Sequence, residues 1–467
     1  MKGYLGIDLG TTGTKSMLFD ENGNVLGRGY QGYGLITPEE NFFEQDAEEW
    51  YSAVVNTVKT ATQDFKGEIL GVSFSAQGGS FLLCDIDKDG KLIPLTNALT
   101  WLDKRVDANS AEFTDKIFNE TGLKIGAGSN LHKYNWLKVN KPDLFSKTKL
   151  VLSTSDYIYY KLTGKAVIDY TSAAMMGVFD ASKNDWNEKL VSLVGLNISQ
   201  LPKVVGAGEF LGNCNAEFLL ATGLSGDVPV YSGVHDQFAA SLGSNYFDDT
   251  DIIVSTGTTW VVFAKNDQQK SFGFACRKHP ANGYGYFCSA VSSGTVLNWE
   301  RSFYSTDYDE INKKVPLRAF DDELLVYPFV SGNGAYRGAN VLKYSVENAS
   351  YNHDKFDVIK ASMEGVAFEI KEIINRYSNN GFNIGKIIVT GGATKSPCWM
   401  SILSDVLGKT LYVSEQTDGC CIGAYSVAKK GAEGNFTTCN FTGWTVEPSE
   451  MTEKYQIKFE KYNKKFK

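Results

Sequence analysis

The chain has 467 residues, of which 43% are hydrophobic and 21% are charged, and it carries a formal net charge of −8. The apolar fraction is sufficient for large buried cores, which excludes an intrinsically disordered chain. The acidic balance argues against a nucleic-acid or anionic-membrane partner, because such partners need a basic field. At about 150 residues per domain, this length predicts two to three domains.

The start of the chain and its cysteines indicate the compartment. Met1-Lys2-Gly3 leads directly into a strand-like run that contains Asp8 and lacks a small-residue cleavage site, so we expect no signal peptide. No stretch approaches the roughly 18 apolar residues that a membrane span needs. The eight cysteines include no CxxC pair, and we expect reduced thiols in a cytoplasmic protein. For the adjacent Cys420-Cys421 we expect packing at a helix start, with a redox switch as the alternative.

The first half of the chain alternates strands and helices. The predicted elements are strands at residues 4–7, 15–19, 25–33 and 69–74 and a helix at residues 45–62. Glu21-Asn22-Gly23-Asn24 has the composition of a hairpin turn, and Asp46 is the expected helix cap. This alternation indicates an α/β domain.

The opening segment recurs near residue 250. Ile252-Ile-Val-Ser-Thr-Gly-Thr-Thr259 matches Leu5-Gly-Ile-Asp-Leu-Gly-Thr-Thr12. Two similar strand–turn–strand units indicate two related domains, and the polar, turn-rich residues 245–251 place their boundary near Ser244. The expected domains are residues 1–244 and 245–467. The elements predicted in the second domain are a helix at 357–376, a strand at 384–390, a helix through Leu407 and a charged amphipathic helix at 453–467.

The glycine–threonine turn after the first strand is suited to phosphate. Its backbone N–H groups and hydroxyls lie close together, and glycine permits close approach of a ligand. Asp8, at the strand end, is suited to hold Mg²⁺ through water, and Lys15 can reach a terminal phosphate. An ordinary tight hairpin is the alternative, but the second copy at Ser255-Thr-Gly-Thr-Thr259 favours phosphate. Two such loops, one on each side of a cleft, resemble the actin-like ATPase superfamily of sugar kinases, heat-shock chaperones and actin.

Asp236 distinguishes between these classes. It lies in Ser232-Gly-Val-His-Asp-Gln237, after a short apolar strand predicted at residues 228–231. At the inner edge of the first domain, its carboxylate can accept a proton from a sugar hydroxyl that attacks the γ-phosphate, and such a base contributes roughly 10²–10⁴-fold. The alternative is that Asp236 caps a helix predicted at residues 238–242.

Eight short segments, in this order and spacing, carry a family resemblance. They are Gly6-Ile-Asp-Leu-Gly-Thr-Thr12, Trp101-Leu-Asp-Lys-Arg105, Asp156-Tyr-Ile-Tyr-Tyr-Lys-Leu-Thr-Gly164, Asp169-Tyr-Thr-Ser-Ala173, Gly233-Val-His-Asp-Gln237, Ser255-Thr-Gly-Thr258, Glu364-Gly-Val-Ala-Phe368, and Gly391-Gly-Ala393 with Trp399 and Asp405. Together they resemble the FGGY carbohydrate kinase family, in particular its xylulokinase-like members. The resemblance implies an α/β fold of two actin-like (ribonuclease H-like) ATPase domains flanking a deep catalytic cleft. Residues 1–244 would bind the sugar and carry the base, and residues 245–467 would bind ATP.

The resemblance also implies roles for individual residues. ATP and Mg²⁺ are the implied cofactors, with Asp236 as the catalytic base and Asp8 as the residue that positions Mg²⁺. The implied ATP-binding residues are Thr11, Thr12, Lys15, Gly257, Thr258, Gly294, Gly391, Gly392 and Ala393. The expected sugar-binding residues are Gln77, Gly78, Trp101, Asp103, Arg105 and Asp236, with core packing as the alternative for Trp101. Family members are often dimers, so a homodimer is the implied assembly.

The sugar itself is less well defined. D-xylulose kinases have Gln-Met-His-Gly where this chain has Gln77-Gly-Gly-Ser80, so we expect a roomier and less polar corner here. The missing Met and His argue against D-xylulose itself. A ketopentose such as xylulose is still the expected class of substrate, because the rest of the pattern, including Gly233-Val-His-Asp-Gln237, resembles the xylulokinase-like group more than the glycerol kinases, whose Asn-Gln-Arg-Glu is absent. L-xylulose, L-fuculose and gluconate are alternatives, and Arg105 and Lys133 are available to a gluconate carboxylate.

Two other classes of function remain open. An actin-fold chaperone or filament ATPase is opposed by the lack of the substrate-binding β-domain and lid that such chaperones append. A sugar sensor that binds without turnover is opposed by the intact Asp8 and Asp236.

Overall fold

The computed structural model describes residues 1–106, 111–121, 129–244, 250–338, 342–415, 418–437 and 442–466. The chain forms two compact units: Met1–Gly243 with Cys420–Cys439 is the first unit, and Ser244–Gly419 with Asn440–Lys467 is the second. The expected boundary after Ser244 lies one residue from this division. Cys420–Cys439 also belongs to the first unit, although it lies far along the sequence. A prediction that divides the chain at one position cannot include such a segment.

The first unit is built on a mixed sheet. Its strands are β1 (Lys2–Leu9), β2 (Gly13–Asp20), β3 (Val25–Gly32), β4 (Glu44–Gln45), β5 (Glu68–Ala76), β6 (Phe81–Ile86), β7 (Leu92–Pro94), β8 (Ala98–Leu99), β9 (Leu150–Ser153), β10 (Val167–Asp169), β11 (Phe179–Asp180), β12 (Asp185–Trp186), β13 (Lys203–Val205), β14 (Phe210–Asn213), β15 (Pro229–Tyr231) and β16 (Val234–His235). Its helices are α1 (Ala47–Thr62), α2 (Ala111–Thr121), α3 (Asn130–Asn140), α4 (Pro142–Lys147), α5 (Thr154–Thr163), α6 (Tyr170–Ala173), α7 (Glu188–Leu193), α8 (Ala216–Thr222) and α9 (Asp236–Gly243). The main sheet has the order β14-β15-β5-β1-β2-β3, and β16 also pairs with β5.

The second unit repeats this plan. Its strands are β17 (Ile252–Thr256), β18 (Trp260–Asn266), β19 (Ala275–Lys278), β20 (Tyr284–Ala290), β21 (Leu325–Tyr327), β22 (Ser345–Glu347), β23 (Ile387–Gly391), β24 (Leu411–Ser414) and β25 (Gly443–Val446). The helices of the second half are α10 (Gly294–Phe303), α11 (Tyr308–Lys314), α12 (Lys355–Asn379), α13 (Pro397–Leu407), α14 (Gly419–Glu433), which belongs almost wholly to the first unit, and α15 (Thr452–Asn463). The main sheet has the order β19-β20-β18-β17-β23-β24-β25. β17 pairs antiparallel with β18 and parallel with β23, as β1 does with β2 and β5.

Both faces of β1 are covered, which explains why its sequence is apolar on both sides. Leu5, Ile7 and Leu9 pack in a core that includes side chains of α1 and α5. On the opposite face, Tyr4 packs edge-on against Tyr425 of α14, with ring centroids 5.8 Å apart. The two layers hold β1 rigidly at the centre of the first unit.

Gly6 is required by the approach of α14 to β1. A Cβ at Gly6 would lie 2.1 Å from the carbonyl oxygen of Cys421 and 2.8 Å from the nitrogen of Tyr425. Only glycine lets the helix backbone pack this closely on the strand. The glycine of the opening motif therefore serves the fold.

A second small sheet and a long helix complete the two cores. In the first unit, β4, β8, β6 and β7 form a sheet to which β9 adds by pairing with β6, and a cluster with side chains of α3 and α7 packs beside it. In the second unit, α12 packs against α13 and buries Ile359, Met363 and Ile370 among others. Trp260 of β18 and Trp399 of α13 meet in this core, with ring centroids 4.7 Å apart.

The predicted elements are confirmed, with ends that shift by a few residues. The predicted strands at 4–7, 15–19, 25–33, 69–74, 228–231 and 384–390 are β1, β2, β3, β5, β15 and β23, and the predicted helices at 45–62, 238–242, 357–376 and 453–467 are α1, α9, α12 and α15. Asp46 caps α1 by accepting from the N–H of Glu48 at 2.8 Å. Of the predicted boundary segment, residues 245–249 lie outside the described residues, as does Lys467. Among the residues that the structure describes, no helix has both the length and the apolar character of a membrane span.

Candidate active site

The glycine–threonine turn of the first unit joins β1 to β2. The N–H of Gly10 donates to the carbonyl of Gly13 at 3.1 Å, which closes the turn. Thr11 is fixed from outside, since its carbonyl accepts from Nε2 of Gln45 at 2.7 Å and its Oγ1 accepts from Nε1 of Trp101 at 3.1 Å. Thr12 is exposed at the tip of the turn. The turn is therefore held in one shape while its outer side remains open to a ligand.

Asp8 and Asp236 lie at the same edge of the main sheet. β1 and β16 both run parallel to β5, with Asp8 opposite Ser75 and Val234 also opposite Ser75. The carboxyl ends of parallel strands meet at one edge, so Asp8 at the end of β1 and Asp236 directly after β16 are brought together. Oγ of Ser75 donates to Oδ1 of Asp8 at 2.8 Å.

Asp236 is the first residue of α9, and its side chain is 32% exposed. Nε2 of His235 lies 3.2 Å from Oδ1 of Asp236. The N–H of His235 donates to Oγ1 of Thr171 at 2.8 Å. Thr171 in turn donates its hydroxyl to the buried carboxylate of Asp169. A buried chain of hydrogen bonds thus leads from α6 to the residue before Asp236.

The hydrogen bonds of Asp169 explain why this hydrogen-bonded connection between α6 and His235 is rigid. It caps α6 by accepting from the N–H groups of Thr171 at 2.8 Å and Ser172 at 3.0 Å. Burial raises the pKa of Asp169, while the hydrogen bonds from Ser172 and Thr171 oppose that rise. The segment Asp169–Ala173 carried the family resemblance without a stated role, and the structure places it directly behind His235.

Cys420 lies close enough to Asp8 and Asp236 for both carboxylates to act on its thiol. Its Sγ donates to the carbonyl of Asp236 at 3.6 Å. Burial raises the pKa of this thiol well above its ordinary value, and the nearby charges of Asp8 and Asp236 raise it further. A thiol that stays protonated is a poor nucleophile. The expected packing of Cys420-Cys421 at a helix start is confirmed, since α14 begins at Gly419 and Cys421 is fully buried.

Gly78 lies against the imidazole of His235. A Cβ at this position would lie 2.4 Å from Cδ2 and 2.5 Å from Nε2 of His235, and 2.7 Å from Cγ of Met175. The expectation of a roomier, less polar corner is therefore wrong, because the imidazole of His235 and the side chain of Met175 occupy that space. Sequence reasoning missed this contact because no local pattern joins residues so distant in the chain.

Trp101 and Gln77 border the turn. The indole of Trp101 is 52% exposed, which contradicts the alternative of core packing, and its Cβ lies 3.4 Å from a Cβ built on Gly79. Gln77 is buried, donating from Nε2 to Oε1 of Gln45 at 2.9 Å. A flat, exposed indole next to Gly79 offers an apolar surface for the C–H face of a sugar.

Asp103 and Arg105 form a buried ion pair. Nε of Arg105 donates to Oδ1 of Asp103 at 2.9 Å, and Nη2 donates to Oδ2 of Asp103 at 2.8 Å and to Oε1 of Glu44 at 2.6 Å. The guanidinium also lies over the rings of Phe42 and Trp136, at 4.1 and 4.7 Å from their centroids. The side chain of Arg105 is 3% exposed. The availability of Arg105 to a substrate carboxylate, expected from the sequence, is contradicted by this burial and pairing.

The second unit contains a cavity of about 440 Å³, which is within the range of about 300–1,000 Å³ typical of ligand pockets. It includes five of the expected ATP-binding residues, namely Gly257, Thr258, Gly294, Gly392 and Ala393. The other lining residues are Thr256, Trp260, Leu297, Asn298, Tyr308, Ile311, Asn312, Lys395, Ser396 and Trp399. Trp260, Tyr308, Ile311, Asn312, Lys395 and Ser396 were not identified from the sequence, because they lie outside the segments that carried the family resemblance.

Two glycines shape the walls of this cavity. A Cβ at Gly294 would lie 2.2 Å from the carbonyl oxygen of Gly257, so the start of α10 packs directly on the second glycine–threonine turn. Thr295 fixes this contact by donating its N–H to the carbonyl of Thr258 at 2.9 Å. Gly391 has φ 101° and its Cβ would lie 2.4 Å from the carbonyl oxygen of Thr256. Side chains at these positions would separate the loops that form the cavity.

Both halves of the chain match the models of one family. Residues 3–243 match the N-terminal domain of the FGGY family of carbohydrate kinases, and residues 252–431 match its C-terminal domain. The chain belongs to the FGGY family of carbohydrate kinases. Membership favours a sugar kinase over an actin-fold chaperone ATPase and confirms the resemblance stated from the sequence motifs.

Relatives of this FGGY kinase act on more than one sugar, according to their names. A gluconokinase of Bacillus subtilis (strain 168) is 28% identical over 448 residues, covering 90% of this chain and 86% of the relative. A xylulose kinase of the same organism is 24% identical over 473 residues, covering 97% and 91%. The crystal structure of a xyloylose kinase from Brucella ovis superposes with a TM-score of 0.90 at 24% identity, covering 99% of this chain and 98% of that one. The last likeness confirms the two-domain α/β fold of the family.

Proposed function

We propose that this FGGY kinase transfers the γ-phosphate of Mg-ATP to a hydroxyl of a small neutral sugar, a ketopentose such as xylulose, with Asp236 as the general base. The observation that carries the proposal is the carboxylate of Asp236 at the sheet edge it shares with Asp8. The side chain of Asp236 is 32% exposed, so a substrate hydroxyl can reach it. A positioned base of this type contributes roughly 10²–10⁴-fold, and alignment of the reactants supplies further acceleration.

The residues around Asp236 favour a base that is held in a fixed position. The peptide N–H of His235 is tied to Thr171, and the carbonyl of Asp236 accepts from Cys420. Both contacts hold the backbone on each side of the carboxylate, which limits the orientations that its oxygens adopt. A base that is held in place loses less entropy when the substrate hydroxyl aligns with it.

The cavity of the second unit supports ATP binding. Its volume of about 440 Å³ suits a nucleotide, and the close contact of Gly294 with Gly257 leaves backbone groups of both segments next to the cavity. Backbone N–H groups at a helix start and a glycine turn suit phosphate oxygens. We infer that Gly257, Thr258 and Gly294 hold phosphates here and that Gly391, Gly392 and Ala393 border the nucleoside. In the first unit, Thr11, Thr12 and Lys15 form the second phosphate-binding segment.

The donor set around Asp8 suits Mg²⁺. This ion prefers carboxylate oxygens, keeps several waters and is held by one or two carboxylates together with substrate phosphates. Asp8 and Asp236 supply carboxylates at one edge, and Asp8 is oriented by Ser75 at 2.8 Å. When bound there, the ion would neutralise charge on the phosphates. Asp8 is the residue that we assign to hold it through water.

The choice of a neutral sugar rests on the cations near Trp101. A gluconate carboxylate needs a cation that is able to face it, and Arg105 is instead buried and paired with Asp103 and Glu44. Lys133, the second expected cation, is buried and donates to the carbonyl of Thr100 at 2.8 Å. These contacts favour ketopentoses over gluconate, while the gluconokinase relative keeps gluconate as the alternative, next to L-xylulose and L-fuculose. Trp101, Gln77 and Gly78 are the proposed sugar-binding residues, and Asp103 and Arg105 are proposed to support them from behind.

A sugar panel tests the proposal. ADP release from Mg-ATP is measured with D-xylulose, L-xylulose, D-ribulose, L-fuculose, L-rhamnulose, gluconate, glycerol and no sugar. We expect one ketopentose to raise ADP release far above the no-sugar control. A response to gluconate alone would replace the proposed substrate while leaving the kinase function in place. A flat panel with retained ADP binding would contradict turnover of these sugars.

A further inference from the structure

Two asparagine amides line the nucleotide cavity beside apolar residues. Asn298 follows Leu297 on α10, and Asn312 follows Ile311 on α11, and all four residues line the cavity. Apolar side chains with a few well-placed polar groups are typical of a site for a flat, partly polar ligand such as a nucleobase. The orientation of these two amides therefore decides which edge of a base the cavity recognises.

The oxygen of Asn298 is already engaged. Oδ1 accepts from the hydroxyl of Tyr308 at 2.7 Å and from Nη1 of Arg301 at 3.3 Å. Arginine has donors only, which fixes the oxygen of the amide on that side. The guanidinium of Arg301 also lies 3.9 Å from the centroid of the Tyr308 ring, so the three side chains form one packed group. Two accepted hydrogen bonds use both lone pairs of the oxygen, which leaves the NH₂ group of Asn298 for a ligand.

The side-chain oxygen of Asn312 also accepts a hydrogen bond from a neighbouring hydroxyl. Its Oδ1 accepts from the hydroxyl of Ser396 at 2.6 Å, and Ser396 directly precedes α13. This bond takes one lone pair of Oδ1 and fixes which end of the amide faces Ser396, and we assign the NH₂ group of Asn312 to the cavity. Lys395, which also lines the cavity, has donors only. The amides and the amine around this cavity thus present mainly N–H groups.

N–H donors can pair with the acceptor atoms of a purine but not with its amino groups. Adenine and guanine both carry an N7 acceptor, but adenine has an amino donor at C6 where guanine has a carbonyl acceptor. Hypoxanthine has the same carbonyl as guanine without its 2-amino group. Donors match the N3 and N7 acceptors of all three bases and the carbonyl of the 6-oxopurines. They offer no partner to the amino group that distinguishes adenine.

We propose that the donor side chains Asn298 and Asn312 make this cavity a purine site that does not select adenine, so that GTP and ITP serve as phosphoryl donors alongside ATP. The proposal rests on the proposed kinase function and specifies its nucleotide. Selection by hydrogen bonds reaches roughly 10⁴–10⁵-fold when the wrong ligand leaves a buried polar group of the site unpaired. Here the wrong ligand leaves none of these amides unpaired.

Titration calorimetry with ADP, IDP and GDP in the presence of Mg²⁺, without any sugar, tests the proposal directly. IDP is the deciding ligand, because it differs from ADP in the C6 group and the N1 proton and lacks the 2-amino group of guanine. We expect the dissociation constants of ADP and IDP to agree within about tenfold. A larger preference for ADP would overturn the proposal. Absence of binding by all three nucleotides would instead overturn the assignment of the cavity as the nucleotide site.

Ser396→Ala tests the orientation of Asn312. Without the hydroxyl, the amide is free to rotate and present its oxygen to the amino group of adenine, so we expect the preference for ADP over IDP to rise several-fold. Ser401→Ala is the matched control on α13, where the hydroxyl donates to the helix carbonyl of Pro397 at 3.1 Å. An unchanged preference in Ser396→Ala, with binding intact, would overturn the role given to the Ser396–Asn312 hydrogen bond.

Discussion

Gly78 and His235 share one space, since a Cβ at position 78 would lie 2.4 Å from Cδ2 of the imidazole. The imidazole nitrogen Nε2 is also 3.2 Å from Oδ1 of Asp236. The absence of a side chain at residue 78 therefore permits the histidine to lie against the proposed base. A bulkier residue here would force the imidazole, the loop or Met175 to move.

Gly78→Ala is expected to lower kcat without unfolding the protein. The added methyl would displace His235 from Asp236, and misplacement by about 1 Å at a reacting centre costs roughly 10²-fold. Steady-state kinetics with the sugar that responds in the panel measures the change. Gly34→Ala is the control, because a Cβ there meets nothing within 4 Å. Unchanged kcat in Gly78→Ala would contradict the positioning of Asp236 by His235.

Arg105→Ala is expected to destabilise the first unit. The substitution leaves the buried carboxylate of Asp103 without its partner, and breaking a buried ion pair in this way costs about 3–5 kcal/mol. Urea denaturation measures the loss, with the exposed neighbour Lys104→Ala as the control. A raised KM for the sugar with unchanged stability would instead indicate that Arg105 binds substrate directly.

Gly294→Ala is expected to weaken nucleotide binding. The methyl would lie 2.2 Å from the carbonyl oxygen of Gly257, so α10 and the second glycine–threonine turn would have to separate. We expect the affinity for ADP to fall by about tenfold or more, in line with the precision that a preorganised site needs. Calorimetry measures it, and Ser302→Ala, at the far end of α10, is the control. Wild-type affinity in Gly294→Ala would argue that phosphates bind elsewhere.

Glu300 is expected to make stability depend on pH. Burial raises the pKa of this carboxyl from 4.5 to about 7, although hydrogen bonds from Ser362 and Tyr344 oppose the rise. Between these two values the folded state holds more protons than the unfolded state, so the free energy of unfolding falls as the pH rises. The loss is about 3 kcal/mol between pH 4.5 and 7, at about 1.4 kcal/mol per pKa unit.

Glu300→Gln removes this titration while keeping an acceptor for Ser362 and Tyr344. We therefore expect the variant to gain stability relative to wild type on going from about pH 5 to about pH 8. Urea denaturation at both pH values measures the difference, and the exposed Glu453→Gln serves as the control. Parallel pH profiles for wild type and Glu300→Gln would exclude the carboxyl as the cause.

The sequence was sufficient to predict the features that depend on local order. β1 and its turn follow from an apolar run that ends in Asp8 and a glycine–threonine loop, and the repeat near residue 250 predicts β17 and β18. The strand predicted at residues 228–231 led us to expect Asp236 at the inner edge of the first domain. In the structure Asp236 directly follows a further strand, β16, which pairs parallel with β5.

The features that depend on distant contacts were not predictable in this way. The return of α14 to β1 depends on Gly6 and Tyr425, which lie in opposite halves of the chain. Arg105, which the sequence suggested as a cation for the substrate, is buried and paired with Glu44. Asn298 ends the segment around Gly294 that the family resemblance matched to a nucleotide contact, and Asn312 belongs to no motif. The orientation of both amides depends on Tyr308 and Ser396, which only the folded chain brings to them.

The most direct test of the central claim is sugar-dependent ADP release by Asp236→Asn. The amide keeps the size of the side chain but cannot accept the proton of the substrate hydroxyl, so we predict a loss of kcat of roughly 10²–10⁴-fold with ADP affinity unchanged. Asp64→Asn, an exposed aspartate of the first unit, is the matched control and is expected to retain wild-type turnover. Wild-type turnover in Asp236→Asn would contradict the assignment of Asp236 as the base and with it the proposed mechanism.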